Sequence, residues 1–286
     1  WIVDGLRGYL AKVNYPLAIR SSSLLEDAQF RAYAGLYKTY MLSNDAPEIE
    51  TRLAHLLEAV KRVYASSYFR APKAFSKRVG HRTEEEKMAV IIQQLVGERT
   101  NGFFYPAISG VGHSYNYYPF GHQRQEDGIV TIALGLGCAV MAGEQTLRFS
   151  PKYPQLLPQR STVDDILDNA QRHFYSLKMD GSSAPLSTEE QAHLAKRDIT
   201  DAGEEVAVKL LASTYLPGEH RIRDTSSIPG YRVLTFASVL KHNQLPLAEM
   251  LTDALALGAA GMGCPVELEF SVNRSSRRDQ KTQFAF

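Results

Sequence analysis

Two glutamates near the end of the chain have the spacing of a paired carboxylate site. Glu267 and Glu269 alternate with Val266, Leu268 and Phe270, so a β-strand would place both acids on one face. Their Cα atoms would be about 6.6 Å apart, where like charges repel by about 0.6 kcal/mol in water and by about 2.5 kcal/mol at an effective dielectric of about 20. A solvated face tolerates such a pair, whereas in a cleft Mg²⁺ would relieve the repulsion. The residues alone leave both interpretations open.

Arg20 is the second candidate, because it follows an apolar stretch and precedes three serines, residues 21–23. A guanidinium makes bidentate contacts with phosphate, and serine hydroxyls and turn N–H groups can add donors. A turn or helix cap with Arg20 in a surface salt bridge accounts for the same residues more simply. The segment alone therefore does not establish a phosphate site.

Two weaker signals concern the backbone. Gly135 and Gly137 follow a predicted strand and would let the chain approach a phosphate, but they lack both the dinucleotide fingerprint and the P-loop sequence. Residues 93–96 (Gln-Gln-Leu-Val) end another predicted strand, where backbone groups could bind adenine. Ordinary core packing with an exposed edge explains that segment equally well.

The elements that would position these residues form an α+β pattern. Apolar spacing and capping signals predict helices over 49–64, 72–79, 163–177, after the capping box 187–190, and over 247–257. Branched and alternating runs predict strands over 16–19, 88–96, 103–105, 114–118, 128–134, 265–272 and 282–286. The strand 88–96 is expected to be buried and central. The three tyrosines in 114–118 are expected to pack on a sheet.

Composition limits the class of protein. The 286 residues are 44% hydrophobic with a formal net charge of +1, typical of a soluble chain of about two domains or lobes, with no basic field for nucleic acid. The longest weakly polar run, residues 129–143, is shorter than the roughly 18 residues that span a bilayer, so no membrane partner is expected. Cys138 and Cys264 lie in apolar segments outside any CxxC pair, which predicts buried thiols and a cytoplasmic location.

In order along the chain, these segments resemble the nucleotide-binding domain of the phosphoenolpyruvate synthase and pyruvate phosphate dikinase family. The resemblance rests on residues 19–27, 34–39 (Ala-Gly-Leu-Tyr-Lys-Thr), 63–66, 88–93, 135–137 and 265–269. It implies an ATP-grasp-like domain of two lobes with ATP between them and a partly helical insertion. The implied parts are 1–87 (first part, with the Arg-Ser-Ser motif), 88–150 (central sheet with an adenine hinge), 151–245 (insertion) and 246–286 (closing helix and metal-binding strand).

The resemblance also implies roles for the matched residues. Arg20 would clamp the ATP phosphates as the catalytic residue, and Glu267 and Glu269 would hold the Mg²⁺ that bridges the β- and γ-phosphates. The loop 34–39 would cover the phosphates, and residues 93–96 would hold adenine. The implied ATP-binding residues are Arg20, Ser21, Ala34, Gly35, Thr39, Gln93, Gln94, Val96, Glu267 and Glu269. The implied cofactors are ATP and Mg²⁺.

Domains of this family pass a phosphoryl group from ATP to a histidine on a separate domain, from which it serves pyruvate bound by another domain. The implied partners are those phosphohistidine and pyruvate-binding domains of the same full-length protein. Cys138 stands where many members have a glutamate, and neither a Gly-Gly-Lys-Gly stretch nor a Gln-x-Arg after Glu269 occurs. A non-catalytic nucleotide-sensing or interaction domain with the same fold is the alternative.

The 286-residue chain alone is expected not to complete the reaction, because it holds no Gly-Gly-x3-His-Ala acceptor motif. A pyruvate-dependent assay of AMP formation with the isolated chain measures this. Turnover in that assay would contradict the expectation.

Overall fold

The chain is built from helices and antiparallel sheets, which confirms the α+β class. The computed structural model describes residues 1–23, 26, 35–79, 87–187, 189, 191–274 and 282–286. These form two compact units: unit 1 holds Trp1–Leu95, Asn101–Phe104 and Leu177–Ala195, and unit 2 holds Val96–Thr100, Tyr105–Ser176 and Lys196–Phe286. The helices in this part of the chain are too short or insufficiently apolar to span a lipid bilayer. The four-part division implied by the family resemblance stays a prediction.

Unit 1 packs one long helix on a three-stranded sheet. Its helices are α1 (Ile2–Leu10), α2 (Ile49–Ser66) and α3 (Arg70–Val79), and its strands are β1 (Leu17–Ser23), β2 (Tyr40–Leu42) and β3 (Met88–Gln94). The strand order is β2-β1-β3, with both pairs antiparallel. The predicted stripe of α2, including Leu56 and Val63, is buried in one cluster with Leu17 and Ile19 of β1. The helix predicted over 49–64 is confirmed and extends to Ser66.

The prediction that 88–96 forms a buried central strand is wrong. β3 ends at Gln94 and pairs with β1 at the edge of the described sheet, and Ala89, Ile91 and Gln93 are exposed. The branched residues of this segment favour a strand in either position, because strand propensity does not distinguish an edge from a centre. The central strand is β1, which carries Arg20.

Unit 2 contains two further antiparallel sheets. Its helices are α4 (Cys138–Met141), α5 (Val163–Asn169), α6 (Val206–Leu211), α7 (Ala237–Leu240) and α8 (Leu247–Met262). Its strands are β4 (Glu98–Thr100), β6 (Ile108–His113), β7 (Ile129–Ala133), β8 (Leu147–Phe149), β11 (Ala212–Leu216), β12 (Arg221–Arg223), β13 (Tyr231–Leu234), β14 (Glu267–Asn273) and β15 (Gln283–Ala285). β5 (Phe103–Tyr105), β9 (His173–Lys178) and β10 (Leu194–Asp198) contain residues of both units.

The five-stranded sheet of unit 2 positions the acidic pair. Its order is β15-β14-β6-β7-β8, and one face is buried through residues such as Phe270, Val272 and Ile132. Helix α8 packs on β6 with Leu255, which lies where a side chain on Gly112 would reach. The smaller sheet has the order β12-β11-β13.

Two predictions between β6 and β9 are wrong. The strand expected over 114–118 is absent, because the strand is β6 and ends at His113, and Tyr117 and Tyr118 are exposed rather than packed on a sheet. The helix expected over 163–177 ends at Asn169, and the chain continues as β9.

A long-range contact explains why this helix stops. The buried Gln171 side chain accepts a hydrogen bond from Leu134 N (2.8 Å) and donates one to Leu134 O (3.1 Å), which ties the chain to β7 in an extended form. The prediction of a helix after 187–190 is also wrong: residues 188 and 190 lie outside the described residues, but 191–193 form a turn and the strand β10 begins at Leu194.

A buried ion pair in unit 2 joins Arg197 of β10 to Glu205, the N-cap residue of α6. Arg197 Nη2 lies 2.8 Å from Glu205 Oε1, and the Glu205 side chain is only 4% exposed. The Tyr105 hydroxyl donates to the same carboxylate, and the guanidinium lies 5.2 Å from the ring centroid of Phe174. Burial, with the hydrogen bond to Glu205, raises the pKa of Tyr105 far above its usual range, so the phenol stays a neutral donor.

Glu205→Ala is expected to destabilise the protein by about 3 kcal/mol, because the Arg197 guanidinium and the Tyr105 hydroxyl both lose this buried carboxylate as a partner. Thermal unfolding followed by circular dichroism measures the loss. Its control is Glu204→Ala, since the neighbouring Glu204 makes an exposed ion pair with Lys209. Equal midpoints for the two variants would contradict the assignment.

Candidate nucleotide-binding site

The register between β1 and β3 separates the predicted residues of unit 1 into two faces. Arg20 is half-buried and lies opposite Ile91, and Gln93 lies two positions further along β3. Directly paired residues share a face, so Arg20 and Gln93 point the same way. Ser21 and Gln94 lie on the other face, which carries β1 residues into the core of unit 1. Of these four residues, Arg20 and Gln93 are thus brought together.

Glu26 braces the serine segment. Ser21 Oγ donates a hydrogen bond to Glu26 Oε1 (2.7 Å), and the backbone N–H of Ser23 donates to Glu26 Oε2 (3.2 Å). The carboxylate that follows the Arg-Ser-Ser motif therefore fixes the end of β1. This gives part of the motif a structural role that the sequence did not reveal.

The loop predicted to cover the phosphates is described from Gly35 onward, and Ala34 lies outside the described residues. Gly35 has φ +71°, and beyond its chain neighbours no atom of the described residues lies within 4 Å of the position that a Cβ would take. The backbone N–H of Lys38 donates to Ser66 Oγ (3.2 Å), which ties the loop to the end of α2. Because Tyr40 pairs with Ile19, continuing this antiparallel register by one residue puts Thr39 opposite Arg20.

The predicted adenine segment lies where the chain passes from unit 1 to unit 2, between Leu95 and Val96. Gln93 and Gln94 are exposed in unit 1, and Leu95 N donates to Pro16 O (2.9 Å). Beyond the passage, the carbonyl of Gly97 accepts a hydrogen bond from Asn273 Nδ2 (3.2 Å). Val96 is thus next to a residue that the end of β14 holds in place.

In unit 2, strand β14 presents the acidic pair to solvent. Glu267 and Glu269 are exposed, whereas Phe270 and Val272 are buried, as their alternation predicts. Glu267 lies opposite His113 of β6, whose Nδ1 is 3.5 Å from Glu267 Oε2. His113 was missed because the sequence predicted a strand over 114–118, directly after this residue, instead of β6. The alternation of Ile108 to His113 was weakened by its two glycines.

The donor set suits a phosphate-bound magnesium ion rather than a protein cage. Within the described ranges, no group of three or more His, Cys, Asp and Glu residues is arranged to hold a metal. Mg²⁺ usually takes one or two carboxylates and completes its shell with phosphate oxygens and water. A solvated pair of neighbouring glutamates meets that need, and in water their mutual repulsion is small.

Close packing explains why a glycine, Gly135, occupies the turn after β7. Gly135 has φ +87°, and a Cβ there would lie 2.6 Å from the carbonyl oxygen of Tyr175. Leu136 N donates to the same oxygen (2.9 Å), and Ser109 Oγ donates to the Gly135 carbonyl (2.7 Å). Close packing on β9 therefore accounts for Gly135 without a phosphate.

A charged cluster lies beyond this turn. Glu144 Oε1 accepts hydrogen bonds from Lys196 Nζ (2.8 Å) and from the Tyr175 hydroxyl (2.7 Å). The Lys196 ammonium also lies over the Tyr175 ring, 5.4 Å from its centroid. The hydrogen bond from Lys196, with that from Tyr175, lowers the pKa of Glu144. The three residues lie far apart in the sequence, so no local sequence pattern predicts the cluster.

The contacts of Glu144 should make stability depend on pH. Its pKa is lower in the folded state than its ordinary value of 4.5, so they stabilise the fold above that value and are lost as the pH falls through the folded pKa. Glu144→Gln is expected to cost about 1 kcal/mol at neutral pH. Thermal midpoints of both proteins between pH 7 and about pH 3 should converge at the acid end. A pH-independent difference would contradict this.

Comparison with known proteins places the chain among ATP-handling domains. The model of the family described as pyruvate phosphate dikinase, AMP/ATP-binding domain, matches residues 4–283. Over 130 residues, 46% of the chain, it is 30% identical to the uncharacterized phosphotransferase YvkC of Bacillus subtilis (strain 168). Over 149 residues, 51% of the chain, it is 28% identical to phosphoenolpyruvate synthase of Aeropyrum pernix. The aligned residues make up 14% and 16% of those two proteins, so the match covers a minor part of each.

Proposed function

This chain belongs to the family of pyruvate phosphate dikinase AMP/ATP-binding domains, and from that premise we propose that it is the ATP-binding part of a dikinase-type phosphotransferase. It moves a phosphoryl group from Mg-ATP to a histidine on a separate domain, which then serves pyruvate. The match over residues 4–283 carries the proposal. The printed names of the two relatives, a phosphotransferase and a phosphoenolpyruvate synthase, support the class of reaction. The ATP-grasp-like fold is part of the same proposal.

In unit 1, Arg20 binds and orients the ATP phosphates. Arg20 shares a face of the sheet with Gln93, and Thr39 directly precedes Tyr40, the residue that pairs with Ile19. A bidentate cation on a central strand holds a phosphate more rigidly than a flexible ammonium would. Gly35 adds a loop position with no side chain between the backbone and a phosphate. Gln93, Gln94 and Val96 contribute the adenine-binding segment.

In unit 2, Glu267 and Glu269 hold the Mg²⁺, which supplies neutralisation of phosphate charge when it is bound. His113 on the neighbouring strand lies beside this pair, with its Nδ1 3.5 Å from Glu267 Oε2. Phosphoryl transfer depends mainly on positioning and charge stabilisation, which a cation and two carboxylates can provide.

The alternative, a nucleotide sensor with the same fold, differs in one measurable respect. Both functions bind ATP, but only the transferase places a phosphoryl group on a histidine of the full-length protein. Acid-labile labelling by ATP that carries ³²P in its β- and γ-phosphates separates the two. Binding without labelling would favour the sensor.

Glu269→Gln is expected to remove the magnesium-dependent part of ATP binding, because an amide is a much weaker ligand for Mg²⁺ than a carboxylate. Isothermal titration of the full-length protein should show ATP affinity falling by about tenfold or more with Mg²⁺ present. The affinity measured in EDTA should stay unchanged.

The matched control is Asp253→Asn, which neutralises an exposed carboxylate on α8. It should bind Mg-ATP like the wild type. If Glu269→Gln also behaves like the wild type in Mg²⁺, the acidic pair does not hold the metal and that part of the proposal fails.

A further inference from the structure

Residues 115–120, here called the aromatic loop, expose three rings within four positions. Tyr117 is 72% and Tyr118 90% exposed, and Phe120 is exposed as well. Single exposed apolar side chains are common on protein surfaces, but a contiguous exposed group marks an interaction site more often than chance. The sequence led us to expect these tyrosines on a sheet, so their exposure needs another explanation.

The aromatic loop is held in one conformation by its own hydrogen bonds. Asn116 is buried, and its backbone N–H donates to Gln125 O (2.7 Å). Its side-chain Oδ1 accepts from the N–H of Tyr118 (3.0 Å), and the Tyr115 hydroxyl donates to Gln125 Oε1 (2.5 Å). A loop fixed in this way presents its rings without an ordering cost on binding.

The aromatic loop begins beside the acidic strand. Ser114 N donates to Val266 O (2.9 Å), and Val266 N donates to Ser114 Oγ (2.8 Å). Val266 directly precedes Glu267 in the sequence. The rings therefore extend from the end of the sheet at which the candidate metal ligands lie.

The end of α8 reaches the same residue and is also apolar and exposed. Gly258 packs on Val266, since a Cβ on that glycine would lie 3.1 Å from Val266 Cγ2. Leu257 and Met262, on the last turns of α8, are largely exposed. Two exposed apolar elements, the aromatic loop and the end of α8, are thus each anchored next to Val266.

We propose that the aromatic loop and the exposed end of α8 form the docking surface for the domain that carries the phosphoryl acceptor in the full-length protein. This rests on the proposed function. An acceptor nucleophile must come within about 3–3.5 Å of the phosphate that it attacks. The domain that carries the acceptor must therefore contact the surface next to Glu267. The aromatic loop and the end of α8 form an apolar surface at that place.

The chemistry of this surface fits a protein partner. Tyrosine rings give a large contact area with a polar edge and are enriched in protein interfaces. The aligned parts make up only 14% and 16% of the relatives, which leaves ample chain for such a domain in proteins of that size. A patch of a few rings suits a contact that forms and releases in each cycle.

The test is the double variant Tyr117→Ser/Tyr118→Ser in the full-length protein. Single-turnover labelling with ATP carrying ³²P in its β- and γ-phosphates should slow by about tenfold or more, whereas the Kd for Mg-ATP should stay within about twofold of the wild type. The matched control is Tyr231→Ser, which removes a tyrosine 67% exposed on β13 of a different sheet and should label normally.

The outcomes are distinguishable. Normal labelling of the double variant would overturn the docking surface and leave the proposed function intact. If the wild type binds Mg-ATP without being labelled, both are overturned. Sedimentation velocity tests whether a second copy of the chain occupies the surface instead. A wild-type dimer that becomes a monomer in the double variant, with unchanged labelling, would assign the surface to a second copy and overturn the proposal.

Discussion

The antiparallel register between β14 and β6 determines what unit 2 presents to solvent. A slip of one residue would turn Glu267 and Glu269 into the core and Phe270 out of it. Gly110 fixes the register, because a Cβ there would lie 2.7 Å from the ring of Phe270 and 2.5 Å from the carbonyl oxygen of Thr131. The acidic pair and its histidine neighbour therefore depend on one position that has no side chain.

Patterns of short period were predictable from the sequence. The stripe of α2 and the alternation of β14 repeat over a few residues, and burial of one face is enough to produce each. The end of α5 was not predictable, because it depends on Gln171 bonding to Leu134. His113 was missed because the strand was predicted to follow it, and because its neighbour Glu267 is distant in the chain and adjacent only after pairing.

The family resemblance and the structure contribute different parts of the site. Roles for Arg20, the adenine segment and the acidic pair came from matched motifs, which no periodicity could supply. The structure added that Arg20 and Gln93 lie on one face of their sheet and that Ser21 and Gln94 lie on the other. It also showed that Glu26 holds the serine segment by a hydrogen bond from Ser21. It also explained Gly135 by packing, so one glycine of the motif needs no ligand.

The division into two units has a covalent consequence. The backbone passes between them at five places: after residues 95, 100, 104, 176 and 195. No single cleavage of the peptide chain can therefore yield two polypeptides that each contain one whole unit. A gene segment encoding either unit alone would have to join stretches that lie far apart in the sequence.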